Sequence, residues 1–292
     1  MFKDITELFV FVDDFCNAVD QHSVKGQIPD QKKSKPTRVP DMTISEIMTI
    51  MILFQQSPCK NFKYFYKICL IIRKEEFPRL VSYNRFVELQ RRCFPYLLLL
   101  LQWFFRQIDP NGINFIDATY VAVCNNKRIF TNKVFKGLAK RGKSTMGWFY
   151  GFKLHLVINA KGELQGAQLT AGNVDDRAPV PAITKRLKGL LFGDKGYIDQ
   201  KLFDELYERG LKLVTNVKKN MKNKFMTIQE KTLLRKRSII ETVNGCLKTT
   251  FQLVHTRHRS PDNFLVHIFS TLVAYCLKPG KPMVRFDNLI PN

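Results

Sequence analysis

The sequence predicts a mixed α/β domain preceded by an all-helical region. Two patterns carry this expectation: apolar side chains recur at helical spacing up to about residue 110, and beyond Gly112 they break into short runs separated by turn signals. Amphipathic helical stretches then alternate with the later runs, which points to an antiparallel start followed by parallel strands. At 292 residues and 45% hydrophobic content, the chain is long enough to bury a sizeable core.

In chain order, Ile5, Leu8, Phe9, Val12, Phe15, Cys16 and Val19 mark one face of a first helix. Residues 23–40, rich in Pro, Gly and Lys without periodicity, form an exposed linker whose Lys25, Lys32, Lys33, Lys35 and Arg38 either touch phosphates or are simply solvated. Thr43 and Glu46 form a capping box opening a helix with Ile44, Ile47, Met48, Met51 and Ile52 as its apolar positions. Helical segments are expected over 60–74, 83–93 and 96–108, so residues 1–110 make a helical region for DNA binding, dimerisation or both. YNRFVELQRR, residues 83–92, is the candidate groove helix of a helix-turn-helix; a packing helix is the equal alternative.

The runs NFIDATYVAVC, WFYGFKLHLVINA and ELQGAQLT then read as strands, with NAKG (159–162) turning the second into the third. A helix near 178–188, the strand LLFGD, a helix near 199–209 and the strand LKLVTNV follow, within a domain of residues 111–280 that ends in a tail, 281–292. Residues 217–237 form a basic insert carrying Lys218, Lys219, Lys222, Lys224, Lys231, Arg235, Lys236 and Arg237 against the single acid Glu230. Such a concentration of positive charge favours contact with phosphates over a solvated face.

The charge balance of 47 Lys and Arg against 25 Asp and Glu, net +22, selects a polyanionic partner. A membrane surface would need a basic amphipathic helix or a lipidation signal, and neither is evident. The longest apolar run, residues 96–105, is about half the roughly 20 residues of a membrane span. The start, MFKDITELFVF, lacks secretory-signal features, and seven cysteines without a CxxC pair suggest reduced thiols in the cytoplasm.

Two acids stand where apolar residues would pack better. Asp117 interrupts the first strand and Asp194 closes the strand LLFGD, and an ionised carboxylate in such a place is costly unless something positive pairs with it. A single strand-end aspartate commonly caps a turn or pairs with a lysine. Two on neighbouring strands repel each other, and a bound divalent cation turns that repulsion into attraction. Further along, Ile240, Val243, Leu247 and Phe251 form an apolar stripe over residues 233–251, while Arg237, Glu241, Asn244 and Lys248 form a polar one beside it. By pattern alone this is an ordinary amphipathic helix with an i,i+4 ion pair.

IDATY, FGDKGY and the R-x3-E-x6-K spacing of Arg237, Glu241 and Lys248 resemble the DDE transposases of bacterial insertion sequences. KVFKGLAKRGKS, GFKLHLV, GNVDDRAPVP and HTRHRSPDNFLVH resemble the insertion sequence 982 group in particular, and the likeness runs over nearly the whole chain. The larger family often has a tyrosine three residues before the arginine; here that position is Leu234.

The resemblance implies an RNase H-like catalytic domain, with Asp117, Asp194 and Glu241 catalytic and holding two Mg²⁺ (or Mn²⁺) ions. The reaction implied is metal-dependent cleavage at the element ends and strand transfer into target DNA, by a homodimer in the bacterial cytoplasm at the nucleoid. Arg237 and Lys248 would face the scissile phosphate; Lys195, Lys143 and Arg141 are weaker candidates, and His255, Arg257, His258 and Arg259 either contact DNA, as the basic insert does, or brace the active-site helix. A nuclease without strand transfer, and an inactive DNA-binding descendant of a transposase, remain the alternatives. Asp175 and Asp176 are expected to cap the helix near Pro179, and the short spacing of His255 and His258, with His267 beyond, argues against a zinc site.

Overall fold

The computed structural model describes residues 4–25, 41–145, 147–216, 226–254 and 258–285. Most of the expected linker, Lys218, Lys219, Lys222, Lys224, His255 and Arg257 lie outside these residues. The chain forms two compact units, Met1–Trp103 with Thr249–Pro279, and Phe104–Lys248 with Gly280–Asn292. The expected catalytic span of 111–280 is thus divided: residues 249–279 pack with the helices, because the buried face of their helix lies against an N-terminal one.

The helical unit contains α1 (Ile5–Lys25), α2 (Ile44–Gln56), the single turn α3 (Phe62–Tyr64), α4 (Tyr83–Leu89) and most of α5 (Phe94–Gln107). The capping box at Thr43 forms as expected, Glu46 N–H donating to Thr43 Oγ1 and Glu46 accepting from Thr43 N–H. The helix it opens is buried on several sides, including Ile47, Met48, Ile50 and Ile52, and packs against α1 and α10 (Pro261–Cys276). Residues 60–74 do not make one helix. α3 passes into a π-turn at Phe65–Cys69 and a 3₁₀ turn at Ile71–Arg73. The run is apolar on too many sides to present one buried face: Phe65 and Tyr66 point inward while Ile68, Ile71 and Ile72 stay exposed.

The second unit is built on a six-stranded mixed sheet: β1 (Asn111–Cys124), β2 (Lys140–Ser144), β3 (Gly147–Asn159), β4 (Leu164–Ala171), β5 (Lys188–Gly193) and β6 (Leu211–Thr215). Its order is β2-β3-β1-β5-β6, with β4 on the same edge of β3 as β2. β1, β3 and β4 pair antiparallel, whereas β1, β5 and β6 run parallel. This is the RNase H-like sheet that the resemblance implies. The NAKG hairpin closes with Gly162 N–H on the Asn159 carbonyl. β2 was absent from the expectation because KRGKS has no apolar side chain to register.

One core layer places Ile116, Val157, Leu191 and Leu213 of the sheet against Val180 of α6 (Val180–Ile183) and Leu202 and Leu206 of α7 (Gln200–Glu208). The helix expected over 178–188 shrinks to α6. Gly189, at φ +96° and second in the β5 ladder, lies so close to Gly112 that a Cβ would be 2.5 Å from its carbonyl oxygen. The helix expected over 233–251 is two: α8 (Ile228–Arg235) and α9 (Ser238–Thr249), interrupted at Lys236 and Arg237. Lys236 N–H reaches back to the Thr232 and Leu233 carbonyls, which tightens and ends α8.

Candidate active site

The positions of the two strand acids follow from one register. β1 and β5 pair in parallel up to Phe115 opposite Phe192, and Asp117 and Asp194 each lie two residues beyond that pair. Alternation along the strands therefore puts both on the sheet face of Phe115 and Phe192, whose rings are 5.6 Å apart. The strand ends on an acid because the sheet pairing stops there. Asp194 is exposed and caps the 3₁₀ turn Lys195–Tyr197, accepting from Lys195 N–H. Gly193 lets this turn fold down tightly, since a Cβ there would be 3.0 Å from the Tyr197 ring.

Asp117 is half-buried. Burial pushes its carboxyl up to about 6, against partial relief from the Ala118 N–H, the Arg237 charge and the Asn244 amide, with the Glu241 charge raising it further. Asn244 Nδ2 donates to Asp117 Oδ2 at 2.9 Å, while Asn244 Oδ1 is buried with no partner among the described residues.

α9 brings Glu241 to this strand. Ile240, Val243 and Leu247 are fully buried, each worth roughly 1.5–3 kcal/mol, so they set the rotation of the helix far more strongly than its surface ion pair does. The polar stripe then runs along β1: Asn244 meets Asp117, and Lys248 Nζ sits 4.0 Å above the Tyr120 ring. Burial depresses the Lys248 ammonium pKa, with Asp117 opposing the shift. Glu241 is 56% exposed and held by Arg237 at 2.8 Å. Among the described residues, no three His, Cys, Asp or Glu side chains converge to hold a metal as they stand.

The donor chemistry nevertheless suits a hard divalent cation. Asp117 and Asp194 offer carboxylate oxygens at equal strand offset, and the buried Asn244 Oδ1, bonded through its amide to Asp117, lacks a partner among the described residues.

The remaining candidates are dispersed. Lys195 is exposed beside Asp194; Arg235 is exposed and Lys236 half-buried at the break before α9. Arg141 and Lys143 stand exposed on β2, with Lys143 Nζ 5.9 Å from the Trp148 ring. Leu234, at the tyrosine position, is buried in α8. Arg259 is exposed in the helical unit, where His258 meets the Phe264 ring edge-on and His267 bonds to Gln55 and the Gln252 carbonyl.

Asp175 and Asp176 do not cap α6, whose first turn has no side-chain cap. Asp175 instead accepts from Arg177 N–H and pairs with its guanidinium, which holds the Asp175 carboxyl well below the usual range. Asp176 pairs with Lys153 at 2.8 Å and lies 4.0 Å from His155 Nδ1. His155 is fully buried, and that burial pushes its pKa down to about 4. Tyr197, also buried, has no partner for its hydroxyl among the described residues and feels the charges of Asp117, Asp176 and Asp194. Sequence reasoning missed Asn244 as a partner of Asp117, Tyr120 as the ring under Lys248 and Asp176 as the partner of Lys153. For Asn244 the signal existed: an amide in the polar stripe one turn from Glu241.

The family model described as Transposase DDE domain matches residues 107–261, just over half of the chain. The chain belongs to this family. Membership supports a DNA transposase of the DDE type, a family that implies dependence on a divalent metal in general. The transposase is similar to a cryo-EM structure of the piggyBac transposase synaptic complex with hairpin DNA, at TM-score 0.49 and 10% identity over 93% of this chain and 71% of that one. It is also similar to a crystal structure of a pre-cleavage Mos1 transpososome, at TM-score 0.29 and 10% identity over 90% and 86% of the two chains. No curated protein matches it. Among the described residues, no helix of the transposase is long and apolar enough to cross a membrane.

Proposed function

We propose that this transposase is encoded by a bacterial insertion sequence of the 982 group and acts as a cytoplasmic homodimer that cleaves element ends and joins them to target DNA. Asp117, Asp194 and Glu241 are its catalytic acids. The observation that carries this reading is the equal offset of Asp117 and Asp194 beyond the Phe115–Phe192 pair, with the Glu241 helix tied to the same strand through Asn244.

Mg²⁺ held by Asp117, Asp194 and Glu241 would activate the attacking oxygen and offset charge on the leaving one. Asn244 fixes the orientation of the Asp117 carboxylate. Arg237 orients Glu241 and, with Lys248, supplies positive charge beside the scissile phosphate. In the first step water attacks phosphorus, the P–O3′ bond breaks, and the products are a 3′-hydroxyl and a 5′-phosphate. In the second, that hydroxyl attacks a target phosphorus and a target 3′-hydroxyl leaves, so one phosphodiester replaces another.

The test is incubation with Mg²⁺ of a plasmid carrying the DNA that flanks this gene, beside the Asp194→Asn variant. Nicks at the element ends with joined products, both absent in the variant, support the reading. Random nicking alone points to a nuclease, and binding without cutting to a DNA-binding protein.

A further inference from the structure

The helical unit contains a cavity of about 980 Å³ whose chemistry is distinct from that of the acids. It lies between the start of α4, the turn before α3 and the segment leading into α10. Three features of its lining matter. Lys60, Lys63 and Arg259 are exposed at it. Phe62 and Tyr83 line it with their rings 6.1 Å apart, and Lys63 Nζ lies 6.0 Å from the Tyr83 ring. Gln90, 6% exposed, and Asn263 also line it, and their side-chain oxygens are buried with no hydrogen-bond partner among the described residues.

Buried acceptors left unpaired are costly and call for an N–H donor. The aromatic faces call for a planar ring, and the cations for an anion. Among the described residues of the lining the single acid, Glu88, is already paired with Arg85 at 3.1 Å. The basic character continues on both sides. A neighbouring cavity sharing Val87, Glu88, Ser260 and Asn263 adds Arg85, Arg91 and Arg92; another sharing Lys63, Tyr83 and Asn84 adds Lys67 and Lys74.

A phosphate, a flat ring and an amino group together describe a nucleotide. In a duplex the bases are stacked and paired, so they cannot enter such a cavity; only an unpaired nucleotide presents all three groups at once. We propose that this cavity receives an unpaired nucleotide of the DNA substrate, stacked on Tyr83, with its base amino group toward Gln90 and Asn263 and its phosphates on Lys60, Lys63 and Arg259. This rests on the reading of the chain as a transposase and adds a single-strand site in its helical unit.

The experiment measures binding of the full chain, in chelator, to a labelled single strand of roughly 12 nucleotides and to the blunt duplex of the same sequence. Tyr83→Leu is expected to weaken single-strand binding at least about fivefold while duplex binding changes less than about twofold, with Tyr83→Phe close to wild type. Lys60→Gln with Lys63→Gln, both at exposed positions, is expected to weaken single-strand binding and flatten its salt dependence. Single-strand binding by both variants at wild-type strength overturns the proposal. If such variants still cleave plasmid at the element ends, the transposase reading stands without the cavity. Wild-type cleavage by Asp194→Asn would instead sink the assignment of the acids and leave the cavity result intact.

Discussion

Asn244 Nδ2 and Asp117 Oδ2 lie 2.9 Å apart, so a side-chain bond joins the strand of the first acid to the helix of the third. Asn244→Leu removes the donor without opening a large void. Groups that orient metal-holding side chains typically matter 10- to 100-fold, so cleavage is expected to fall by about that factor, with a higher Mg²⁺ requirement and an unchanged fold. A Mg²⁺ titration of the cleavage rate, with circular dichroism as control, checks it.

Asp117 is destabilising when ionised. Its carboxyl titrates near 6 in the folded chain against about 3.9 unfolded, so the folded state holds the proton more tightly. The cost is therefore absent below about pH 4, grows as pH rises, and is complete above about pH 6. Asp117→Asn in chelator should be more stable than wild type at about pH 8, by no more than roughly 3 kcal/mol, with the gap closing at about pH 4. Thermal melts at the two pH values measure this.

Lys248 sits over Tyr120 with its ammonium partly buried. A cation that meets charge developing at phosphate is worth roughly 100-fold or more in rate. Lys248→Gln is expected to lower single-turnover cleavage by at least about tenfold while duplex affinity stays within about threefold. An affinity loss that accounts for the whole rate loss would make it a binding residue.

The Arg237–Glu241 pair is largely a surface contact, with Glu241 56% exposed, and such pairs contribute roughly 0.2–1 kcal/mol. Arg237→Gln should barely move the urea midpoint and yet reduce cleavage, because Glu241 loses its orientation. By contrast, Ile240→Ala, at a fully buried position on the same helix, should cost roughly 2–5 kcal/mol.

What was legible in the chain followed from contrast. Asp117 and Asp194 stood out because apolar runs surround them, and the α9 stripe because Ile240, Val243 and Leu247 keep helical spacing. What was illegible lacked that contrast. β2 is polar and is defined by its ladder to β3, from Lys140 opposite Gly151 to Ser144 opposite Gly147. The break at Lys236 depends on backbone carbonyls, which no side chain announces. Asp176 was read as a cap from its neighbours in sequence, whereas its partner Lys153 lies 23 residues away on β3. The division of the second half of the chain escaped for the same reason, since α10 packs on α2, which is remote in sequence.

Asp117 and Asp194 are proposed to hold divalent metal jointly, together with Glu241. Mn²⁺ binding to the purified protein, followed by the loss of the free-ion electron paramagnetic resonance signal, tests it most directly. The account predicts saturable binding by wild type that is lost in both Asp117→Asn and Asp194→Asn. Wild-type binding by either variant would contradict it.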